Sequence, residues 1–272
     1  MLYLYIRHHE HGAVGIYNVL NVTVKNCTFY NNTSDSYYFN QAEQYQGSSG
    51  GLSIGYNMNN SNVSLNITIT DTDFINNSAL PLPKFKVMTS EIVEKRRFTG
   101  RGGGASVLVN VHLSHLSCVI ANCKFVNNSA NNVGGALYFL FAHVFNKQEY
   151  KLDSIIFSNN FSPIAGALCF VDVRTEVSNF SVFTTILNCM FTYNKAVDTA
   201  GAAGIYSMEG ETCFFVIFRD CEFYSNTVLN GYSGAVEATA KPMSSIIKLY
   251  PQSCTLLVQI CVKTHAPAVR MH

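Results

Sequence analysis

The strongest constraint on this chain is a recurring pair of residues, a phenylalanine followed three positions later by an asparagine. Six copies occur along the 272 residues, and the last four phenylalanines lie 32, 34 and 32 positions apart, after gaps of 45 and 51. A period of this length predicts a repeat architecture in which each copy forms one unit and stacks on the next. The copies are Phe29/Asn32, Phe74/Asn77, Phe125/Asn128, Phe157/Asn160, Phe191/Asn194 and Phe223/Asn226.

The positions before each phenylalanine indicate the secondary structure of the repeat. Two positions before it the residues are small or apolar, as at Cys123 and Cys189, whereas the residue directly before it varies, as at Asp73 and Lys124. Inward-facing and outward-facing side chains therefore alternate with a period of two, which predicts a β-strand in every copy. A small-residue element such as Gly134-Gly135-Ala136 follows most copies and leads into a second apolar strand.

Stacked strands of this kind predict an all-β fold, a single right-handed parallel β-helix, or solenoid, with protruding loops. We expect it to span residues 13–240, followed by an irregular C-terminal tail over 241–272 that we attribute to a gene-model artefact. The aligned phenyl rings should stack inside, and the aligned asparagines should form a hydrogen-bonded ladder at a corner. We expect these same asparagines to take the left-handed backbone conformation that Asn tolerates.

The motifs of this repeat resemble a known family. FVNN with GGAL, and the weaker FINN, FSNN, FYNN and SGAV, are similar to the paired FxxN and GGA[ILV] repeats of chlamydial polymorphic outer-membrane proteins. The resemblance covers roughly residues 13–240. It implies a β-helix that is exposed at the cell surface and takes part in adhesion.

Composition narrows the class of partner. The chain has 18 Lys and Arg against 17 Asp and Glu, so it has no global basic field for nucleic acid. Neither a signal sequence nor a membrane anchor is visible, and we interpret the chain as a fragment or an incomplete gene model. We therefore expect a non-catalytic extracellular or cell-surface protein that binds an extracellular protein or glycan without a cofactor.

Two insertions interrupt the period at the same place in their repeats, over residues 33–49 and 80–101. Equivalent positions of a stacked coil lie on one edge, so both loops should project side by side. The first is rich in tyrosine and the second is locally basic, with Arg101 as its last cation. They predict either a recognition surface or variable loops of the kind that repeat proteins tolerate.

An alternative function is a polysaccharide lyase or glycoside hydrolase that uses Asp71 and Asp73. Both should point outward from one strand, about 7 Å apart from the strand rise, which lies in the range of paired glycosidic carboxylates. A cross-strand ion pair between Asp73 and Lys124 is the competing interpretation.

The run His8, His9, Glu10 and His11 offers imidazole and carboxylate ligands for a metal, but its spacing matches no structural site and we expect no metal. The chain has nine cysteines. Four of them, Cys27, Cys123, Cys189 and Cys221, occupy one inward column and are expected to be buried free thiols.

Acceptor sequences for N-glycosylation are frequent. Three of the asparagines concerned directly precede a ladder asparagine, and they are glycosylation candidates if the source is a eukaryote: Asn31, Asn76 and Asn127.

Overall fold

The computed structural model describes residues 2–4, 14–35, 49–56, 63–80, 100–110, 115–142, 148–172, 181–207, 213–231, 233–240, 245–252 and 255–262. These residues contain strands and turns, and none of them is helical. The strands are, in chain order, β1 (Leu2–Leu4), β2 (Val14–Tyr17), β3 (Asn21–Lys25), β4 (Cys27–Tyr30), β5 (Thr33–Asp35), β6 (Leu52–Tyr56), β7 (Ser64–Thr70), β8 (Asp73–Ile75), β9 (Ser78–Leu80), β10 (Ala105–Asn110), β11 (His115–Ala121), β12 (Lys124–Val126), β13 (Ser129–Ala130), β14 (Leu137–Ala142), β15 (Gln148–Asp153), β16 (Ile156–Ser158), β17 (Phe161–Ile164), β18 (Leu168–Asp172), β19 (Ser181–Leu187), β20 (Met190–Thr192), β21 (Lys195–Thr199), β22 (Ala203–Ser207), β23 (Cys213–Arg219), β24 (Glu222–Tyr224), β25 (Thr227–Val228), β26 (Val236–Ala240), β27 (Ser245–Gln252) and β28 (Thr255–Val262).

From β2 to β26 every fourth strand belongs to the same sheet, so four sheets run along the stack. Sheet A contains β1, β4, β8, β12, β16, β20 and β24; sheet B contains β5, β9, β13, β17, β21 and β25; sheet C contains β2, β6, β10, β14, β18, β22 and β26; and sheet D contains β3, β7, β11, β15, β19 and β23, followed by β28 and β27. We number the coils 1 to 6 from the Phe-x-x-Asn copy with which each begins; each coil passes from sheet A through B and C towards D. Equivalent residues pair directly, as Phe125 does with Phe74 and Phe157. The prediction of an all-β parallel β-helix is confirmed; its right-handed sense stays a prediction.

Phenylalanine rings form a continuous column inside the stack. From Phe29 to Phe223, successive ring centroids lie 4.8, 4.6, 5.2, 4.7 and 4.8 Å apart, and the rings are nearly parallel. These distances match the spacing between hydrogen-bonded strands, so the register of the backbone sets the stacking of the rings. Phe74, Phe125, Phe157 and Phe191 are fully buried.

The ladder asparagines are buried at the corner between sheets A and B. Asn77 donates its side-chain amide to the carbonyl oxygen of Phe29 and to Oδ1 of Asn128, and its own Oδ1 accepts from the backbone and side chain of Asn32. The same arrangement continues through Asn160, Asn194 and Asn226. Each carboxamide thereby satisfies backbone groups that a buried corner would otherwise leave unpaired.

The sequence predicts the left-handed conformation for the ladder asparagine. In the structure, the residue before the ladder asparagine has this conformation instead. Asn31, Asn76, Asn127 and Asn159 have φ between 54° and 56°, and Tyr193 has the same φ of 56°. The left-handed conformation turns the chain, which lets the following asparagine point inward. Burial and hydrogen bonding therefore select the second residue of each pair, whereas backbone conformation selects the first.

Glycines allow the coils to approach closely at the corner before sheet C. A Cβ atom added to Gly135 would collide with the carbonyl oxygen of Gly166 in the next coil and with the backbone of Phe161. In coil 5 the corner glycine is Gly201, which meets Gly234, whereas Gly204 lies within β22. The small-residue element therefore provides space for the neighbouring backbone.

Between its end strands β2 and β26, sheet C is buried on both faces. Its inner face joins the main core, and its outer face forms a second apolar cluster that includes Leu108, Tyr138 and Cys169. Arg101 is also buried there, with its guanidinium 5.1 Å from the centre of the Tyr138 ring. This contact of the cation with the aromatic face explains why Arg101 is not part of an exposed basic surface.

The C-terminal segment contains strands where the sequence led us to expect an irregular tail over 241–272. Strands β27 and β28 form an antiparallel hairpin, and β28 also pairs antiparallel with β23 from Cys213 to Arg219. The hairpin continues sheet D beyond coil 5, so the open edge of the long apolar strand β23 is covered. Its own sequence is rich in β-branched and aliphatic residues, which favours strand formation.

Candidate binding surface

Large apolar side chains are exposed mainly at one end of the stack. Among the residues whose side chains the structure describes, eight large hydrophobic residues are exposed, and six of them belong to coils 4 to 6. We call these six the aromatic corner. They lie on the outer surface of sheets A and B and the turns after them: Ile156, Phe161, Met190, Tyr193, Tyr224 and Leu229.

Two tyrosines form the centre of the aromatic corner. Tyr193 and Tyr224 are 53% and 60% exposed, and their rings meet edge to face with centroids 5.5 Å apart. Tyr193 occupies the left-handed position that holds asparagine or serine in the other coils. A bulky residue is unfavourable in this conformation, so tyrosine at this position has a conformational cost that asparagine would avoid.

The rest of the corner follows from the strand register. Ile156 and Met190 are neighbours on the outer face of sheet A, and Phe161 lies beside Lys195 in sheet B. In coils 1 to 3 the column of Ile156 and Met190 holds Thr28, Asp73 and Lys124 instead. The sequence predicts only a mixed solvent face for this column. Its change from polar residues to Ile156 and Met190 in coils 4 and 5, before Glu222 in coil 6, is the signal that indicates the corner.

The proposed catalytic carboxylates have ordinary structural partners. Asp73 forms an ion pair with Lys124 at 3.8 Å, as the competing interpretation expected, and Asp71 accepts a hydrogen bond of 3.3 Å from the side chain of Asn122. Asp71 is exposed and Asp73 is half-buried on the outer surface of coil 2. Asp220 occupies the position of Asp71 four coils further along the stack, so the repeat brings no third carboxylate beside them.

Several sequence predictions lie outside the described residues. This holds for His8 to His11 and for the centres of both insertions, residues 36–48 and 81–99. Within the described ranges, no group of three or more His, Cys, Asp or Glu side chains could hold a metal ion. The part of the chain that the structure describes also has no helix with the length and apolarity needed to cross a bilayer.

The cysteines of the inward column are free thiols. Burial raises the pKa of Cys123 to about 12, and burial likewise raises the pKa of Cys118, in sheet D, to about 12. Cys189 and Cys221 are neighbours in adjacent coils, and interaction with the Cys221 thiol, together with burial, raises the pKa of Cys189. Cys123 and Cys189 are buried and act as small apolar side chains, whereas Cys27 and Cys221 are half-buried rather than buried as predicted.

The three glycosylation candidates differ in exposure. Asn31 and Asn127 are exposed, and Asn76 is half-buried. All three occupy the left-handed position of the corner in adjacent coils. Modification at these sites stays a prediction.

Part of the chain matches a family of known repeats. Residues 122–140 match the family model of the Chlamydia polymorphic membrane protein repeat. This segment contains β12, β13 and the start of β14, so it covers the ladder pair of coil 3, the glycine corner and the entry into sheet C. The chain thus carries a repeat of the type found in these proteins. No curated protein and no solved structure matches the chain.

Proposed function

We propose that the chain is a non-catalytic binding protein of the cell surface or extracellular space, and that the aromatic corner contacts its ligand. The observation that carries the proposal is the concentration of exposed large apolar side chains in coils 4 to 6. Exposed large apolar side chains that cluster on one part of a surface mark a contact site, and tyrosine is frequent where binding energy is concentrated. The repeat of a polymorphic membrane protein supports a location at the surface.

The chemistry of the corner favours a protein ligand over a glycan. Ile156, Met190 and Leu229 offer aliphatic surface without any hydrogen-bonding group. Such side chains gain free energy when a partner buries them in an apolar pocket, whereas a sugar hydroxyl beside them would lose its hydration. Tyr193 and Tyr224 add rigid rings with a hydroxyl at the rim, which is typical of protein interfaces.

Adhesion to cells tests this proposal. Labelled protein is added to cultured animal cells, and binding of the unmodified chain is compared with that of the double variant Tyr193→Asn and Tyr224→Thr. Asn and Thr are residues that other coils hold at these two positions, so the coil geometry is kept. The variant Tyr30→Thr is the matched control, because Tyr30 is a half-exposed tyrosine of the same outward column in coil 1.

We expect the double variant to lose binding and the control to keep it. Treatment of the cells with protease should abolish binding, whereas glycosidases should leave it unchanged. Equal binding of the double variant would refute the role of the corner, and loss of binding after glycosidase treatment would assign the ligand to the glycans.

Depolymerisation of polysaccharides is the alternative function. Asp71→Asn and Asp73→Asn variants and the unmodified chain are incubated with a panel of polysaccharides, and the release of reducing or unsaturated ends is measured. We expect no turnover by any of them, since both carboxylates already have structural partners. Turnover by the unmodified chain that disappears in the variants would replace our proposal with catalysis.

A further inference from the structure

The last coil leaves the edges of three sheets unpaired. Strands β24, β25 and β26 each pair with one strand of coil 5 and with no further strand that the structure describes. Sheet D differs, because β28 and β27 cover β23. An additional segment can therefore extend sheets A, B and C of coil 6, but the hairpin blocks the path into sheet D.

Three backbone groups of coil 6 lack the partners that they have in every preceding coil. In coils 1 to 5 the backbone N–H of the ladder asparagine donates to Oδ1 of the ladder asparagine in the following coil. The backbone carbonyl oxygen of the same residue accepts from the N–H of the residue that comes after that second asparagine. The backbone carbonyl oxygen of the phenylalanine in each of these coils accepts from the side-chain amide of the ladder asparagine in the following coil. At Asn226 and Phe223 none of these three bonds is made with any residue that the structure describes.

The apolar side of the same edge is also incomplete. Phe157 is fully buried between two parallel rings, whereas Phe223 has one parallel neighbour, Phe191, and an edge contact with Phe218, and stays half-buried. At the glycine corner, a Cβ added to Gly201 would meet the backbone of the next coil, but one added to Gly234 would meet only Asn226 of its own coil. The edge thus has a free ring face and free space in the positions where a further coil would lie.

We propose that this edge binds a Phe-x-x-Asn segment of a second polypeptide as an added coil. The incoming asparagine would accept from the N–H and side-chain amide of Asn226 through its Oδ1, and would donate its own amide to the carbonyl oxygen of Phe223. The phenyl ring three positions earlier would cover Phe223. Asparagine alone fits, because it combines an acceptor and a donor on a side chain of this length. Main-chain pairing with β24 to β26 supplies affinity, as in other cases of strand addition.

The occupant is a second polypeptide of a different kind rather than the start of a second copy. In this chain all six Phe-x-x-Asn copies are built into its own coils. The sheet A strand at its other end is β1, where Leu4 takes the place of the phenylalanine and Arg7 stands three positions later. That end therefore lacks both the ring and the carboxamide that the edge would bind.

A peptide with the sequence of residues 122–142 is the probe. In coil 3 this segment forms the strands of sheets A, B and C and stops before sheet D, which is the path left open at coil 6. The unlabelled peptide is titrated into the isotope-labelled full chain, and amide shifts are followed by NMR. We expect saturable changes at Ser225, Asn226 and Gly234. A peptide with Asn128→Leu should bind about tenfold more weakly or worse, because the three hydrogen bonds of the incoming carboxamide are lost.

The controls separate this proposal from the proposed function. Tyr224 lies on β24 but points outward, so Tyr224→Thr should leave peptide affinity unchanged while it weakens binding to cells. Equal affinity of the two peptides, or no shift of the coil 6 amides at millimolar peptide, would overturn the proposal. Shifts of the same amides with rising protein concentration and no peptide would overturn the choice of occupant in favour of a second copy.

Discussion

A single buried asparagine in each of coils 1 to 5 satisfies the hydrogen-bonding groups of a tight corner. The asparagine before it only turns the chain, and the two residues of each Asn-Asn pair therefore differ in their tolerance of change. Coil 5 has Tyr193 before Asn194, and coil 6 has Ser225 before Asn226. In the sequence, this difference is visible because the first position varies among the coils, whereas the second position is always asparagine. In coils 1 to 4 both positions hold asparagine, so the two roles cannot be told apart there. The sequence therefore predicts the left-handed residue one position too late.

Substitution of adjacent asparagines in coil 3 tests this difference. Asn128→Leu removes the partner of the Phe74 carbonyl oxygen and of the Asn77 backbone N–H, and it removes one of the two acceptors of the Asn77 side-chain amide. We expect the free energy of unfolding to fall by about 3 kcal/mol, since unpaired buried polar groups cost about 1–3 kcal/mol each. Asn127→Gly is the matched control, because glycine accepts φ of 54° and the side chain is exposed. Equal losses for the two variants in urea denaturation would contradict the assignment.

The carboxylate of Asp153 predicts an acid dependence of stability. Partial burial opposes ionisation, but hydrogen bonds from Lys151, Asn188 and Ser154 outweigh it and hold the pKa of Asp153 below its ordinary value. A lowered folded pKa means that the stabilisation is complete above the ordinary value of about 4 and is lost as pH falls through the folded pKa. The Tm difference between the unmodified chain and Asp153→Asn should therefore be constant near neutral pH and shrink in acid. A difference that does not depend on pH would show that Asp153 acts without titrating.

At the scale of the elements, the recurring motifs determine which strands stack, whereas pairing at the end of the stack has no such signal. Each strand before Phe-x-x-Asn could be placed in one sheet because its spacing repeats. Strands β27 and β28 have suitable apolar residues but no repeat motif, so neither their hairpin nor its antiparallel pairing with β23 could be predicted. Their position depends on an edge that exists only once sheet D has formed.

The glycine corner makes a prediction about contact between coils. Gly135→Ala places a methyl group against the backbone of Gly166 and Phe161, which are held by their own strands. We expect a loss of about 2–3 kcal/mol in the free energy of unfolding, as for other overpacked sites. Gly234→Ala is the matched control, because its methyl group would meet only the carbonyl group of Asn226 at the open end. A cost as large for Gly234→Ala as for Gly135→Ala would indicate a conformational rather than a steric requirement.

At the scale of the whole molecule, a regular interior carries an outer surface that changes along its length. The inner columns keep phenylalanine and asparagine in all six coils, because each must match the coil above and below. The outer columns have no such constraint, and they change from Asp73 and Lys124 to Ile156 and Met190. The repeat therefore predicts the scaffold but not the binding surface. The binding surface follows from which side chains are exposed, and this exposure depends on how the turns and neighbouring sheets cover each column.

Stability in a stack of coils depends on contacts between neighbours, so the same substitution should have different effects at the middle and at the end. Phe157→Ala removes a buried ring that contacts Phe125 and Phe191, and we expect a loss of about 4 kcal/mol. It should also divide the stack, so that urea unfolding followed by amide exchange shows coils 1 to 3 and coils 5 to 6 opening separately. Phe223→Ala removes one half-buried ring with a single parallel neighbour, so its loss should be smaller and confined to coil 6. Equal losses, with cooperative opening of all coils in both variants, would mean that the helix folds as one indivisible unit rather than as a row of neighbours.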